Sequence, residues 1–180
     1  MKNVDKIQTS RLILRRWQES DRAPFAQLNA DPRVMEYMPG LLSAHESNDM
    51  VDRIENHFRD RGFGLYAVEL ASTQTFIGFI GLSVPRFEAS FTPCVEIGWR
   101  LAFNYWGNGY ATEGAASVLD YAFTQLQLPQ VVSFTVPANR RSRRVMERIG
   151  LEFAGTFNHP ALPSGHLLEK HVLYATANGS

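Results

Sequence analysis

The chain has 180 residues, 44% of them hydrophobic, and its 18 basic side chains are matched by 18 acidic ones. That length supports one well-buried core and a single domain, and a net charge of +0 supplies no global field toward nucleic acid or an anionic membrane, so charge recognition must be local. The lone cysteine, Cys94, excludes an intramolecular disulfide and any zinc site built on cysteine pairs. It is expected to be a buried structural thiol rather than a nucleophile, since no base flanks it. Met1 to Lys6 lacks the apolar core of a secretory signal and no apolar run nears membrane-spanning length, which makes a cytoplasmic location the default expectation.

Along the chain, Arg11 to Trp17 alternates as a first strand, and Ser20 offers an N-cap to a helix that carries Pro24 in its first turn and Phe25 and Leu28 on one face. Ser43 and Glu46 form a capping box for a second helix with Met50, Ile54 and Phe58 in line, stopped by Gly62. Phe63 to Leu70 and Phe76 to Val84 predict a hairpin joined through Ala71 to Thr75. After a loop over Phe87 to Pro93 comes a strand ending at Leu101. A helix then runs to about Leu128 before Pro129, with Ala115, Val118, Leu119, Ala122, Phe123 and Leu126 on its buried face. Val131 to Val136 reads as a buried strand and Asn139 to Ile149 as a short helix ended by Gly150. Leu151 to Phe157 and Leu168 to Ala175 close the chain as strands around the loop Asn158 to Gly165. The tail Asn178 to Ser180 is expected to fray.

The informative join is Leu101 to Gly114, where a strand empties through Gly107 and Gly109 into a helix. Glycines there clear side chains from a bound group, and the first helical turn leaves backbone N–H groups without internal partners at the positive end of the dipole. That suits a phosphate. Two glycines so spaced also make an ordinary turn, so context has to decide. A dinucleotide fingerprint fails because Thr112 stands where a third Gly or Ala is required, and a P-loop fails because no Gly-Lys-Ser/Thr follows.

Asn104-Tyr105-Trp106-Gly107-Asn108-Gly109 resembles the pyrophosphate loop of the GNAT acyltransferase superfamily at both glycines, departing at its first position, where the family has Gln or Arg. Trp106 to Glu113 resembles the wording of the RimJ/RimL-like ribosomal-protein N-acetyltransferase branch. Thr9 to Arg15, Phe76 to Leu82, Glu96 to Trp99, Asn139 to Ser142 and Arg148 to Leu151 match further segments in the family's order, from about residue 9 to about residue 175. The resemblance implies an α/β (α+β) fold with a mixed, mostly antiparallel twisted sheet, helices on both faces and splayed central strands. It implies an N-acetyltransferase that takes acetyl-CoA as co-substrate and a primary amine, a protein amino terminus or a small molecule, as acceptor. No metal, nucleic acid or membrane is implied.

On that resemblance the backbone of Leu101, Ala102 and Phe103 and the turn Trp106, Gly107, Asn108, Gly109, Tyr110, Ala111 and Thr112 would hold the cofactor. Asn139 would contact its pantetheine arm or cap the following helix. Arg140, Arg141, Arg143, Arg144 and Arg148 offer charge to its phosphates or form a solvated face. Trp99, Tyr105, Trp106 and Tyr110 are expected mainly in the core, with one of them a candidate lining of the acceptor entrance. Glu96 is the candidate base, with a paired or solvated strand carboxylate as the plainer account, and His57, His159, His166 and His171 are unranked alternatives. The tyrosine that many relatives use as an acid is replaced by Met146, which cannot donate a proton. Ser142 stands where the branch keeps a serine that faces the sulfur, and equally where a helix cap is completed. A CoA-binding sensor or interaction module without turnover is the alternative function. Acceptor specificity is expected in Val34 to Ser47, Phe87 to Pro93 and Asn158 to His166.

Overall fold

The computed structural model describes residues 5–177; the expectation for Asn178 to Ser180 lies outside the described residues. Eight strands form one sheet in the order β1-β2-β3-β4-β5-β6-β8-β7. They are β1 (Lys6–Gln8), β2 (Leu12–Arg15), β3 (Leu65–Leu70), β4 (Phe76–Ser83), β5 (Glu96–Leu101), β6 (Gln130–Thr135), β7 (Glu152–Asn158) and β8 (Lys170–Ala177). Among the described residues only β5 and β6 run parallel. The helices are α1 (Arg22–Asn29), α2 (Ala44–Arg61), α3 (Tyr110–Thr124) and α4 (Arg140–Arg148).

Alternate β4 residues show how the layers form, because successive strand side chains point to opposite faces. Phe79 packs with Phe25 and Leu28 of α1 and Val51 of α2, whereas Ile80 presses on Gly114 of α3, where an added Cβ would come within 2.5 Å of it. Helices therefore cover both faces. At each apolar position the burial removes roughly 1.5–3 kcal/mol worth of surface from water.

The second helix starts and stops as its sequence dictates. Ser43 accepts from the Glu46 N–H while Glu46 returns to the Ser43 N–H, and Gly62 closes the helix at φ 78°. The first helix departs from expectation. Ser20 caps nothing; a 3₁₀ turn over Glu19–Asp21 intervenes, boxed by Gln18 and Asp21. Asp21 is buried because Arg15 claims its carboxylate at 2.8 Å while also reaching Glu69 at 2.8 Å, a tertiary ion cluster that overrides the local cap signal. The first strand is shorter than expected, and a preceding strand, β1, pairs Lys6 with Arg15. Helix α3 stops at Thr124 rather than about Leu128, because Gln127 adopts φ 52° and the Leu128 N–H reaches back to the Ala122 carbonyl.

The feature that positions the site is the β5/β6 pair. Its register contains one position, Glu96 opposite Val132. The Val132 N–H donates to the Val95 carbonyl at 2.9 Å and the Ser133 hydroxyl to the Ile97 carbonyl at 2.8 Å. Beyond Ile97 the strands part, although β5 stays paired to β4 through Leu101 and β6 to β8 through Thr135. The expected splay is present, and the facing edges of the two strands have no strand between them.

Candidate active site

A cleft of about 340 Å³ opens at the mouth of this splay. One wall is Trp99, Arg100 and Leu101 from β5 and the turn with the start of α3; another is Asn139, Ser142, Arg144, Val145 and Arg148 at α4. The α1–α2 connection closes a third side with Arg33, Val34, Tyr37 and Met38.

The glycine turn has the conformation its residues permit. Gly107 and Gly109 sit at φ 78° and 80°, where a side chain is strained, and an added Cβ at Gly107 would meet no protein atom within 4 Å. Gly109 is the N-cap of α3 and supplies no side-chain hydrogen bond, so the donors of the first turn face the cleft without a protein cap. A helix of fifteen residues with its first-turn donors left open in this way has the geometry that suits an anion. The groups expected to hold the cofactor divide. Leu101, Trp106, Gly107, Gly109, Tyr110, Ala111 and Thr112 line the cleft; Ala102, Phe103 and Asn108 stand behind it. Asn108 ties the turn by donating to the Tyr105 and Trp106 carbonyls at 3.2 and 3.1 Å. The Ala102 N–H is spent on the Ile77 carbonyl at 2.8 Å, and the Leu101 carbonyl accepts from the Trp106 ring N–H at 2.8 Å. Since the Ile97 carbonyl points to β6, the alternate residues Trp99 and Leu101 turn main-chain groups into the same gap.

A brace behind the turn escaped sequence reasoning. Glu113 lies in the first turn of α3, where its charge competes with any bound phosphate. Thr9, Ser10 and Arg11 engage it: the Thr9 hydroxyl donates to it at 2.6 Å, the Ser10 hydroxyl at 3.0 Å and Arg11 Nε at 2.6 Å. Burial alone would raise its pKa, but these hydrogen bonds hold it below the usual carboxylate range. Arg11 also donates from Nη1 to the Asn108 carbonyl at 2.9 Å, fastening the turn to β2. The only local signal was the Thr-Ser-Arg run, some hundred residues from its partner.

At α4, Asn139 does cap the helix: its Oδ1 accepts from the Ser142 N–H at 3.2 Å and its Nδ2 donates to the Thr135 hydroxyl at 3.0 Å. It also lines the cleft, as does Ser142. Helical spacing sorts the arginines. Arg141, Arg144 and Arg148 face the cleft, with Arg141 over the Trp106 ring at 4.6 Å and paired with Glu36 at 3.1 Å. Arg143 instead donates to the Tyr174 hydroxyl and the Pro137 carbonyl. Met146 is 1% exposed and belongs to the core.

Glu96 lies at the closed end of the splay, outside the cleft wall. It is half-buried, and its one described hydrogen bond comes from the Ser83 hydroxyl at 3.3 Å. Burial pushes its pKa up to about 7, the Ser83 bond opposing. Cys94 is half-buried, and burial with the Glu96 charge pushes its thiol up to about 11, which disfavours a nucleophile. His57 is spent on the fold, its ring bridging the Phe63 carbonyl and the Val84 N–H. His166 accepts from the Leu168 N–H. His159 and His171 stack in an aromatic group with Phe134 and Phe157, and burial lowers both pKa values. Phe87 and Phe91 join that group from the β4–β5 loop.

A parallel pair that opens beside an uncapped, glycine-framed helix start defines the class, and comparison with known proteins agrees. The family described as "Acetyltransferase (GNAT) domain" matches residues 11–152. Bacillus subtilis YkkB, an uncharacterized protein, is 34% identical over 152 residues, which is 84% of this chain and 87% of YkkB. The FsC-acetyl coenzyme A-N(2)-transacetylase of Aspergillus fumigatus is 39% identical over 119 residues, 63% of this chain and 50% of that protein. The solved structure of Mycobacterium smegmatis RimJ in complex with CoA-disulfide shares the fold at a TM-score of 0.74 and 21% identity, covering 92% of this chain and 81% of that one. The chain belongs to the GNAT acetyltransferase family and is an acyltransferase of it. Among the described residues no helix is long and apolar enough to cross a membrane.

Proposed function

We propose that this chain moves an acetyl group from acetyl-CoA to a primary amine by direct attack. The observation that carries the reading is the gap between β5 and β6, which pair at a single register position, with the open N-terminus of α3 at its mouth. The N–H groups from Tyr110 to Thr112 take the diphosphate, Arg144 and Arg148 add charge for the phosphates, and the arm lies along the β6-facing edge of Trp99 and the Leu101 N–H. The amine nitrogen attacks the thioester carbonyl carbon and loses a proton to Glu96, directly or through water. The carbon–sulfur bond breaks, and the thiolate gains a proton through the Ser142 hydroxyl, since Met146 has none to give. A base at about 7 is matched to an α-amine of pKa about 7.7–8.0 better than to a lysine-like amine at about 10.4.

The test is calorimetry with acetyl-CoA followed by free-thiol release in the presence of amines and peptides. Acceptor-stimulated thiol release is expected. Binding without any release would leave a CoA sensor, the reading that the buried Met146 favours.

A further inference from the structure

Glu96, Gly98 and Arg100 share one face of β5, because alternate residues do. Ile97 and Leu101 turn the other way into the core with α3. Arg100 shows which face it is: its Nη1 donates to Asn29 Oδ1 of α1 at 2.7 Å and its Nη2 approaches Met38 Sδ at 3.3 Å. Phe79 lies under it, 5.4 Å from the guanidinium to the ring centroid. These neighbours are an amide, a thioether and an aromatic ring, and none carries negative charge.

Among the described residues no ion pair includes Arg100, whereas Arg33 and Arg141 on the same cleft are held by Asp31 and Glu36. A cation taken from water without a counter-ion is costly, and burial pulls its pKa down to about 10. Its partner has to come from outside the fold. The cleft wall contains no Asp or Glu, and Arg144 and Arg148 lie on α4, beyond the splay from the Arg100 face. At Gly98 the space is open. A Cβ there would meet no atom within 4 Å, and its φ lies outside the left-handed range, so neither packing nor backbone geometry requires glycine.

We propose that the acceptor is a small ampholyte, an amine that also bears a carboxylate, lying over Gly98 with its nitrogen toward Glu96 and its carboxylate on the Arg100 guanidinium. This rests on the acetyl-transfer reading of the site. Four residue steps along the strand separate the two Cα atoms by about 13 Å. Both side chains rise from the same face of β5 at the two ends of that span, which suits an amine and a carboxylate carried on one small molecule, an α-amino acid or a longer ω-amino acid. A polyamine or aminoglycoside meets a like charge at Arg100 and is rejected.

The test measures acetyl-CoA-dependent thiol release with α-amino acids, β-alanine, 4-aminobutyrate and 5-aminovalerate, each against its carboxamide, alongside spermidine and a peptide with a blocked carboxyl terminus. Removing the carboxylate leaves a half-buried cation unpaired, so the best acid should exceed its carboxamide by about 30-fold or more in kcat/KM. Arg100→Met should shrink that ratio to about threefold or less through the KM of the acid. Gly98→Val should raise acceptor KM while calorimetric acetyl-CoA affinity holds. Carboxamides as good as acids, a ratio that survives Arg100→Met, or turnover confined to the peptide or spermidine overturns the inference and leaves acetyl transfer standing. Acetyl-CoA bound with no acceptor turned over overturns it as well. Failure of acetyl-CoA to bind, or binding with no thiol release for any amine, defeats the underlying acetyl-transfer reading.

Discussion

At the carboxyl end of β5 the cleft is walled mostly by main chain: two glycines, an uncapped helical turn and the edges of Trp99 and Leu101. On the β5 face that meets α1 and the α1–α2 connection the groups are side chains, Arg100 in the cleft wall and Glu96 beyond it. Glu96 and Arg100 are tuned by Ser83 of β4, Asn29 of α1 and Met38 of the α1–α2 connection. A phosphate grip can be built from local backbone geometry, so one short segment encodes it. An acceptor grip built from charge has to borrow neighbours from several elements, so it varies without disturbing the first.

Substitutions that separate the two ends should rank as follows. Gly109→Val places a β-branched residue at φ 80° at the helix start and should weaken acetyl-CoA binding by about 100-fold or more by calorimetry, with the far-UV spectrum unchanged. Unaltered affinity would break the placement of the diphosphate. Glu96→Gln should cost about 10²–10³ in kcat while sparing acetyl-CoA affinity. In the parent protein the acid limb of the kcat/KM profile should fall with pH below about 7, where Glu96 protonates, and this limb should vanish in the variant. A limb that persists assigns the base elsewhere.

Stability carries the same titration. Because burial raises the Glu96 pKa above its ordinary 4.5, folding favours the neutral form. That contribution is complete below pH 4.5 and lost as pH rises through about 7. Glu96→Gln should therefore melt several degrees above the parent at pH 8 and alongside it at pH 4. Ser142→Ala should lower kcat about tenfold with little change in melting, since the capped group at that position is its backbone N–H. Asn139→Ala should show the reverse emphasis, costing about 1 kcal/mol of stability through the lost cap. Smallest is Arg11→Ala, expected to raise the acetyl-CoA KM a few-fold by freeing the Glu113 charge beside the turn. An effect on the acceptor KM alone would contradict that.

The Ser43 and Glu46 box, the Gly62 stop, the Asn139 cap and the strand-turn-helix at Gly107 to Gly109 were legible in the sequence, each being an interaction between residues a few positions apart. So was the order of elements, through hydrophobic period. What the chain did not disclose involves distant partners. Asp21 is tied to Arg15 while it boxes the 3₁₀ turn, Glu113 is held across more than a hundred residues by Thr9 to Arg11, and Arg100 is left without a carboxylate where α1 and the α1–α2 connection meet β5. Glu96 could be named from its strand, but its raised pKa follows from burial. Sequence determined the family, the layers and the glycine turn, because backbone geometry follows from residue type at short range. Tertiary structure alone decided which charges are paired and which are buried, because desolvation and Coulomb partners are set by whatever the fold brings alongside.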